Sequence, residues 1–333
     1  GFSVMFCFNE YVTIKNSQNI YLPPPLENER PPRLLRREPE HERSVGGRRG
    51  RLVRPLLAGT EGDPADRKEG TISTLDGNGT FQTLVVVNDN GRDLEVERVC
   101  FYRSIQNGLR KTKAGNLTLT DCDFIENGTN ATANTSGKAI YFDASGARLT
   151  AIRCRFLRNR QEVRTKSNAS IDSAVNLVNG LGATFGDCLF FGNCTPLCQI
   201  DKISGYPIGD KHKPGSAILS SIPIEVTGST FAANITLCRS SNEQSGGTVW
   251  LQSNAAGSVF RRCAFYGNND RAGNGSGATY GGAIVLYSNL GATPVTIDSC
   301  TFAYNLTDGA KCAAGITAGS GNLVMSNCVF GGN

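Results

Sequence analysis

The chain has 333 residues, 39% of them hydrophobic, with 39 glycines, 12 cysteines, two methionines, one tryptophan and a formal net charge of +5. That supplies apolar material for one large domain or two ordinary ones, and so mild a positive balance, gathered near the N-terminus, argues against a nucleic-acid binder. No apolar run approaches the roughly 20 residues that cross a bilayer, so no transmembrane segment is expected; Phe2 to Phe8 is too short and lacks the basic flank of a signal peptide, which places any secretory signal before Gly1.

In chain order, residues 1–22 contain the strand-like run Tyr11-Val12-Thr13-Ile14 and read as an N-terminal strand or cap segment. Residues 23–70 form a Pro/Arg-rich arm or loop, with nine arginines, five glutamates and seven prolines between positions 23 and 55. Such a composition cannot build a core and leaves three readings: a solvated loop, an arm docking on a neighbouring subunit or acidic glycan, or a processing site around Arg48-Arg49-Gly50-Arg51. Strands resume at 71, with a turn at Asp76-Gly77-Asn78-Gly79 and the β-branched run Val85-Val86-Val87.

From about residue 100 the chain repeats itself. The pattern Cys-x-Phe-x-x-Asn recurs as Cys122/Phe124/Asn127, Cys154/Phe156/Asn159, Cys188/Phe190/Asn193, Cys263/Phe265/Asn268, Cys300/Phe302/Asn305 and Cys328/Phe330/Asn333, and a seventh copy, Ser229/Phe231/Asn234, carries Ser in the Cys position. The mean period is about 34 residues. Midway between copies lies a second motif, Gly137-Lys138-Ala139-Ile140, Gly215-Ser216-Ala217-Ile218 and Gly281-Gly282-Ala283-Ile284 among its examples, and an apolar stretch such as Val295-Thr296-Ile297 precedes each cysteine. A helical 34-residue repeat is excluded by the Gly, Asn and Thr content and the period-2 alternation. Three short strands per period predict an all-β, right-handed parallel β-helix over 71–333 whose coils stack at about 4.8 Å, continuing or stacking beyond 333.

In such a solenoid Cys and Phe, two apart on one strand, share the inward face and stack on their counterparts one coil away. The Asn three beyond Phe falls at a corner, where its amide can form a ladder and satisfy backbone groups that the bend leaves unpaired. Gly permits the second bend and Ala a close approach.

The pairing of Phe-x-x-Asn with Gly-Gly-Ala-(Ile/Leu/Val) resembles the repeats of the chlamydial polymorphic outer membrane proteins, over about residues 100–333. The resemblance implies a β-helix of the pectin-lyase-like class and a cell-surface, adhesive role; dense glycosylation sequons and no membrane-barrel domain suit a eukaryotic secreted relative better than a bacterial autotransporter.

An even number of cysteines and ten N-x-[ST] sequons, where random placement of these residues would give roughly four, point to the secretory pathway and an extracellular location. Glycosylation is expected at Asn78, Asn116, Asn130, Asn134, Asn168 and Asn274. The other four sequons, at Asn127, Asn193, Asn234 and Asn305, reuse the corner Asn, and a ladder there would silence them. Cys194, Cys198, Cys238 and Cys312 are candidates for loop disulfides, since the C-x₃-C spacing has no histidine partner for zinc. The stacked cysteines could be bridged or could pack as an unbridged sulfur ladder.

No catalytic or metal site and no cofactor is expected. Asp121 and Asp123 flank Cys122 and would suit the carboxylate spacing of a glycosidase, but the residue before each cysteine runs Asp121, Arg153, Asp187, Gly228, Arg262, Ser299, Asn327, as a solvated face does. The two histidines, His41 and His212, stand in an arm and a Lys-His-Lys loop, and Gly273 to Gly277 lacks the Gly-Lys-Ser/Thr of a P-loop. The sequence therefore reads as a structural subunit of a surface filament, stalk or appendage, joined end to end to itself or sister subunits and open to adhesion, against the alternative of a carbohydrate-binding or carbohydrate-cleaving, lyase-like β-helix.

Overall fold

The computed structural model describes residues 72–87, 91–128, 137–159, 170–171, 173–193, 199–200, 207–208, 212–213, 216–238, 247–252, 254–272, 282–287, 290–307, 313–319 and 321–333. The N-terminal segment 1–22 and the Pro/Arg-rich arm 23–70 lie outside them. Three parallel sheets carry the chain, visited in turn so that each coil contributes one strand to each. The protein is an all-β parallel β-helix with three strands per coil.

The first sheet has nine strands: Ser73–Asp76, Val99–Tyr102, Asp123–Ile125, Arg155–Leu157, Leu189–Phe191, Thr230–Ala232, Ala264–Tyr266, Thr301–Ala303 and Val329–Gly331. The second has eight, running from Thr83–Val87 through Ile140–Asp143, Ile218–Ser220 and Val249–Leu251 to Ile316–Ala318. The third also has eight, from Leu94–Glu97 to Leu323–Ser326. Phe lies opposite Phe across every pair of the first sheet from Val99–Tyr102 onward.

One expectation needs correcting. Cys and Phe of each repeat were to share a strand, yet Phe265 stands in Ala264–Tyr266 and Cys263 falls just before it, at the bend. The same holds for Cys122/Phe124, Cys154/Phe156, Cys188/Phe190, Cys300/Phe302 and Cys328/Phe330. The cause is the turn that precedes each cysteine, which breaks the ladder one residue too early for the cysteine to join the strand. Both side chains still face inward: Cys263 is 2% exposed and Phe265 fully buried.

The third sheet shows the alternation expected of strands with one wet face: Leu94 and Val96 are buried while Glu95 and Glu97 are exposed. Three neighbouring strands of the second sheet do not. In Ile218–Ser220, Val249–Leu251 and Ile284–Leu286 all three residues are buried. Ile218, Val249 and Ile284 belong to the main core, whereas Leu219, Trp250 and Val285, one residue on, form a separate apolar cluster against which Tyr287 packs. Strands buried on both faces read as unbroken apolar runs, which is why periodicity alone does not foretell the second cluster.

Each bend is made in the same way. From the second coil on, the residue before the inward Cys position takes a left-handed conformation: Arg98, Asp121, Arg153, Asp187, Arg262, Ser299 and Asn327 have φ between 51° and 55°, and Gly228 has φ 60°. A second such column precedes the corner Asn or its equivalent, at Arg103, Glu126, Arg158, Gly192, Ala233, Gly267, Tyr304 and Gly332. The polar row read from sequence as a solvated face is thus also the row of turn residues. For a residue with a Cβ this conformation costs roughly 1–2 kcal/mol, so the bends hold only because the ladders on either side over-determine them. Glycine is obligatory elsewhere: a Cβ on Gly137 (φ 74°) would lie 2.3 Å from the Ile140 carbonyl oxygen, and one on Gly282 (φ 127°) 2.3 Å from that of Ala313.

Candidate functional site

The repeat residues form three columns along the helix axis. Seven successive phenylalanine pairs, from Phe101–Phe124 to Phe302–Phe330, stack with ring centroids 4.5–5.2 Å apart and planes within 8° of parallel. The spacing is that of the coils themselves, about 4.8 Å. Phe185 and Phe260 of the third sheet meet this stack at steep angles, closing the core from the opposite wall. Phe265 therefore has three ring neighbours rather than the two that the repeat foretells: Phe231 at 4.6 Å, Phe302 at 4.9 Å and Phe260 at 6.2 Å, the last inclined by 60°.

The asparagines form the second column. Each Nδ2 donates to the Oδ1 of the next, at 3.0 Å for Asn127–Asn159, 3.1 Å for Asn159–Asn193, 3.0 Å for Asn193–Asn234, 2.9 Å for Asn234–Asn268, 2.8 Å for Asn268–Asn305 and 3.0 Å for Asn305–Asn333. Its other proton goes to the carbonyl of the Phe one coil back, as from Asn193 to Phe156 at 2.8 Å and from Asn305 to Phe265 at 3.0 Å. Each Oδ1 also accepts the backbone N–H of the preceding Asn, as from Asn159 to Asn193 at 3.0 Å. One side chain therefore satisfies a donor and an acceptor stranded by the bend.

Cys100, Cys122, Cys154, Cys188, Cys263, Cys300 and Cys328 are free thiols. Each thiol of the third column donates to the carbonyl oxygen two residues earlier, for instance Cys122 to Thr120 and Cys154 to Ile152, both at 3.4 Å, and Cys328 to Ser326 at 3.1 Å. Ser229 keeps this geometry, donating to Thr227 at 3.1 Å and accepting the Cys188 N–H at 3.0 Å, which explains how a hydroxyl substitutes for a thiol there. Contact with the Cys154 thiol and burial push the Cys122 thiol up, and burial above all does the same to Cys154. In the Cys263–Cys300 pair the contact between the thiols raises the first and lowers the second. Burial, then the charge of Asp123, pushes Cys100 up to about 12. These sulfurs pack as small apolar groups.

Of the glycosylation candidates, Asn78 is exposed at the tip of its turn. Asn116 is exposed as well, its Oδ1 accepting the Arg148 N–H at 2.9 Å and its Nδ2 reaching Asp93 at 3.3 Å. Asn130, Asn134, Asn168 and Asn274 lie outside the described residues, as do Cys194, Cys198, Cys312, His41 and the side chains of Cys238 and His212. The four remaining sequon asparagines, Asn127, Asn193, Asn234 and Asn305, are at most 1% exposed. Their amides face the ladder, so a folded coil has no room for a glycan on them.

The two carboxylates that could have suited hydrolysis are held by arginines one coil on. Asp121 receives Arg153 through Nε and Nη2, both at 2.8 Å, and the nearly buried Asp123 receives Arg155 in the same forked manner. Arg158 pairs with Glu126 at 3.1 Å and Arg103 with Asp76. The bridges tie neighbouring coils, and an arginine fork occupies both oxygens that an acid or base would use. Among the described residues no group of three or more His, Cys, Asp or Glu side chains could hold a metal, and no helix is long and apolar enough to cross a membrane.

Comparison with family models, curated proteins and solved structures finds no match to this chain.

Proposed function

We propose that this chain is an extracellular, N-glycosylated structural protein, a subunit of a surface filament, stalk or appendage that is open to adhesive contacts, and a eukaryotic relative of the chlamydial polymorphic repeat proteins. One observation carries the reading: six amide-to-amide bonds and seven ring contacts run unbroken from Phe101 to Asn333, so the repeat residues are committed to axial continuity rather than to a concave site.

Lyase-like or hydrolytic chemistry receives less support, because Asp121 and Asp123 are engaged by Arg153 and Arg155. The test is secretion from a eukaryotic host followed by peptide mapping and negative-stain microscopy. The reading expects glycan at Asn78, none at Asn127, Asn193, Asn234 or Asn305, and filaments or rods that lengthen with concentration. Unglycosylated, compact monomers would overturn it.

A further inference from the structure

The outward face of the first sheet changes character along the axis. Three positions per coil point outward: the residue between Cys and Phe, the one after Phe, and the left-handed residue that follows. Over the strands from Ser73–Asp76 to Arg155–Leu157 six of these twelve positions are charged, namely Asp76, Arg103, Asp123, Glu126, Arg155 and Arg158. Over the five strands from Leu189–Phe191 to Val329–Gly331 none of the fifteen is charged. There Phe191, Tyr266 and Tyr304 are 43%, 39% and 58% exposed, and Tyr266 meets Tyr304 edge to face at 5.4 Å. In the column that carries Phe191 and Tyr266 the intervening and following residues are Ala232 and Ala303, so both rings stand clear of the sheet. Phe191 and Tyr266 are two coils apart, about 10 Å.

We propose that this strip binds a neutral polysaccharide, laid along the helix axis with its sugar rings on Phe191, Tyr266 and Tyr304. Size argues for a narrow chain. Five strands by three residues is on the order of 200 Å², whereas a stable protein partner needs about 800 Å² per side. Charge argues for neutrality, since a carboxylate or sulfate desolvated on this strip meets no cation within it. Chemistry argues for sugar. The faintly positive C–H face of a pyranose packs on the negative face of an aromatic ring, while the Thr230 and Thr301 hydroxyls and the tyrosine hydroxyls offer bonds to ring substituents. The inference goes beyond the structural role and does not rest on it, because a monomer would carry the same strip.

The test is calorimetric titration of the full chain with cellohexaose, mannohexaose, chitohexaose and hexagalacturonate, together with sedimentation of the unliganded protein. The expected result is saturable binding of at least one neutral hexamer but not of hexagalacturonate, weakened tenfold or more by Tyr266→Ala or Tyr304→Ala. Tyr266→Trp should retain binding, and circular dichroism should leave every variant folded; the Trp variant alone reads the proposal if the alanine variants do not fold. Absence of binding by all three neutral hexamers at millimolar concentration overturns the proposal. So does binding indifferent to Tyr266 and Tyr304, or a self-association of the unliganded chain that Tyr266→Ala abolishes, which would make the strip a protein interface.

Discussion

Replacing Asn193 by alanine removes one rung of the asparagine ladder, and its cost can be followed atom by atom. The Asn159 N–H loses its acceptor, the Asn193 Oδ1 at 3.0 Å, and is left inside the corner. The Asn159 Nδ2 keeps its bond to the Phe124 carbonyl at 2.9 Å, and Asn234 Oδ1 keeps the Asn193 backbone N–H at 3.1 Å, so these two are only half deprived. One orphaned buried donor costs about 1–3 kcal/mol. The lost contact to the Phe156 carbonyl and the void left in a fully buried site add to it, for a total of about 3 kcal/mol. That is roughly a hundredfold shift in the opening equilibrium of the local coils. The assay is hydrogen exchange at the Asn159 amide beside urea unfolding, with protein from a bacterial host so that the Asn193 sequon plays no part. Asn116→Ala is the control: the same residue type in an exposed inter-coil contact, where water replaces the bonds and a loss under about 0.5 kcal/mol is expected. A loss below about 1 kcal/mol at Asn193, with Asn159 still protected, would refute the reasoning.

Phe190→Ala takes out a ring stacked at 4.5 and 4.6 Å on Phe156 and Phe231 and contacted edge-on by Phe185, so urea unfolding should register a loss of about 3–5 kcal/mol. Ala233→Gly relieves a left-handed residue at φ 51° and should raise the melting temperature, the gain being about 1 kcal/mol, whereas Gly192→Val at φ 63° should lower it. The Cys100 thiol, raised to about 12 in the folded chain, contributes stability that is fully present below the unfolded thiol value near 9 and is lost as pH rises from there through the folded value, because the native state holds the proton longer. The unfolding free energy from urea titrations should therefore fall between pH 9 and 10 by about 1 kcal/mol more in the parent than in Cys100→Ala; equal falls would show that the burial of this thiol is not what shifts it.

Much of this architecture is legible in one sequence because the same residue recurs at the same structural position. A Phe every 34 or so residues on a strand has one partner within reach in a stacked coil, and the Asn three beyond must meet its own kind. What periodicity hides is what differs between coils, and where a strand begins. Cys263 and Phe265 alternate as strand residues do, yet the left-handed Arg262 keeps the cysteine at the bend. The left-handed conformation of Arg153 or Tyr304 is invisible in the residue type, since neither favours it; Asp121, Gly228 and Asn327 in the row of Arg153, and Gly192, Gly267 and Gly332 in the row of Tyr304, are the hint. The pairing of Asp123 with Arg155 follows from register, and only the 32-residue spacing of that coil brings the two together. The Leu219, Trp250 and Val285 cluster escapes the sequence because a strand buried on both faces loses its alternation. The uncharged aromatic strip escapes it for the converse reason: it emerges only when outward positions of five coils are read side by side.

The axial continuity of the ladders is the centre of the account, and cryo-electron microscopy of the secreted protein tests it most directly. Filaments are expected in which the ring stack and the amide ladder pass from one subunit to the next without a break, the axial repeat being a whole number of coils of about 4.8 Å. Filaments joined side to side, or isolated rods at every concentration, would contradict it.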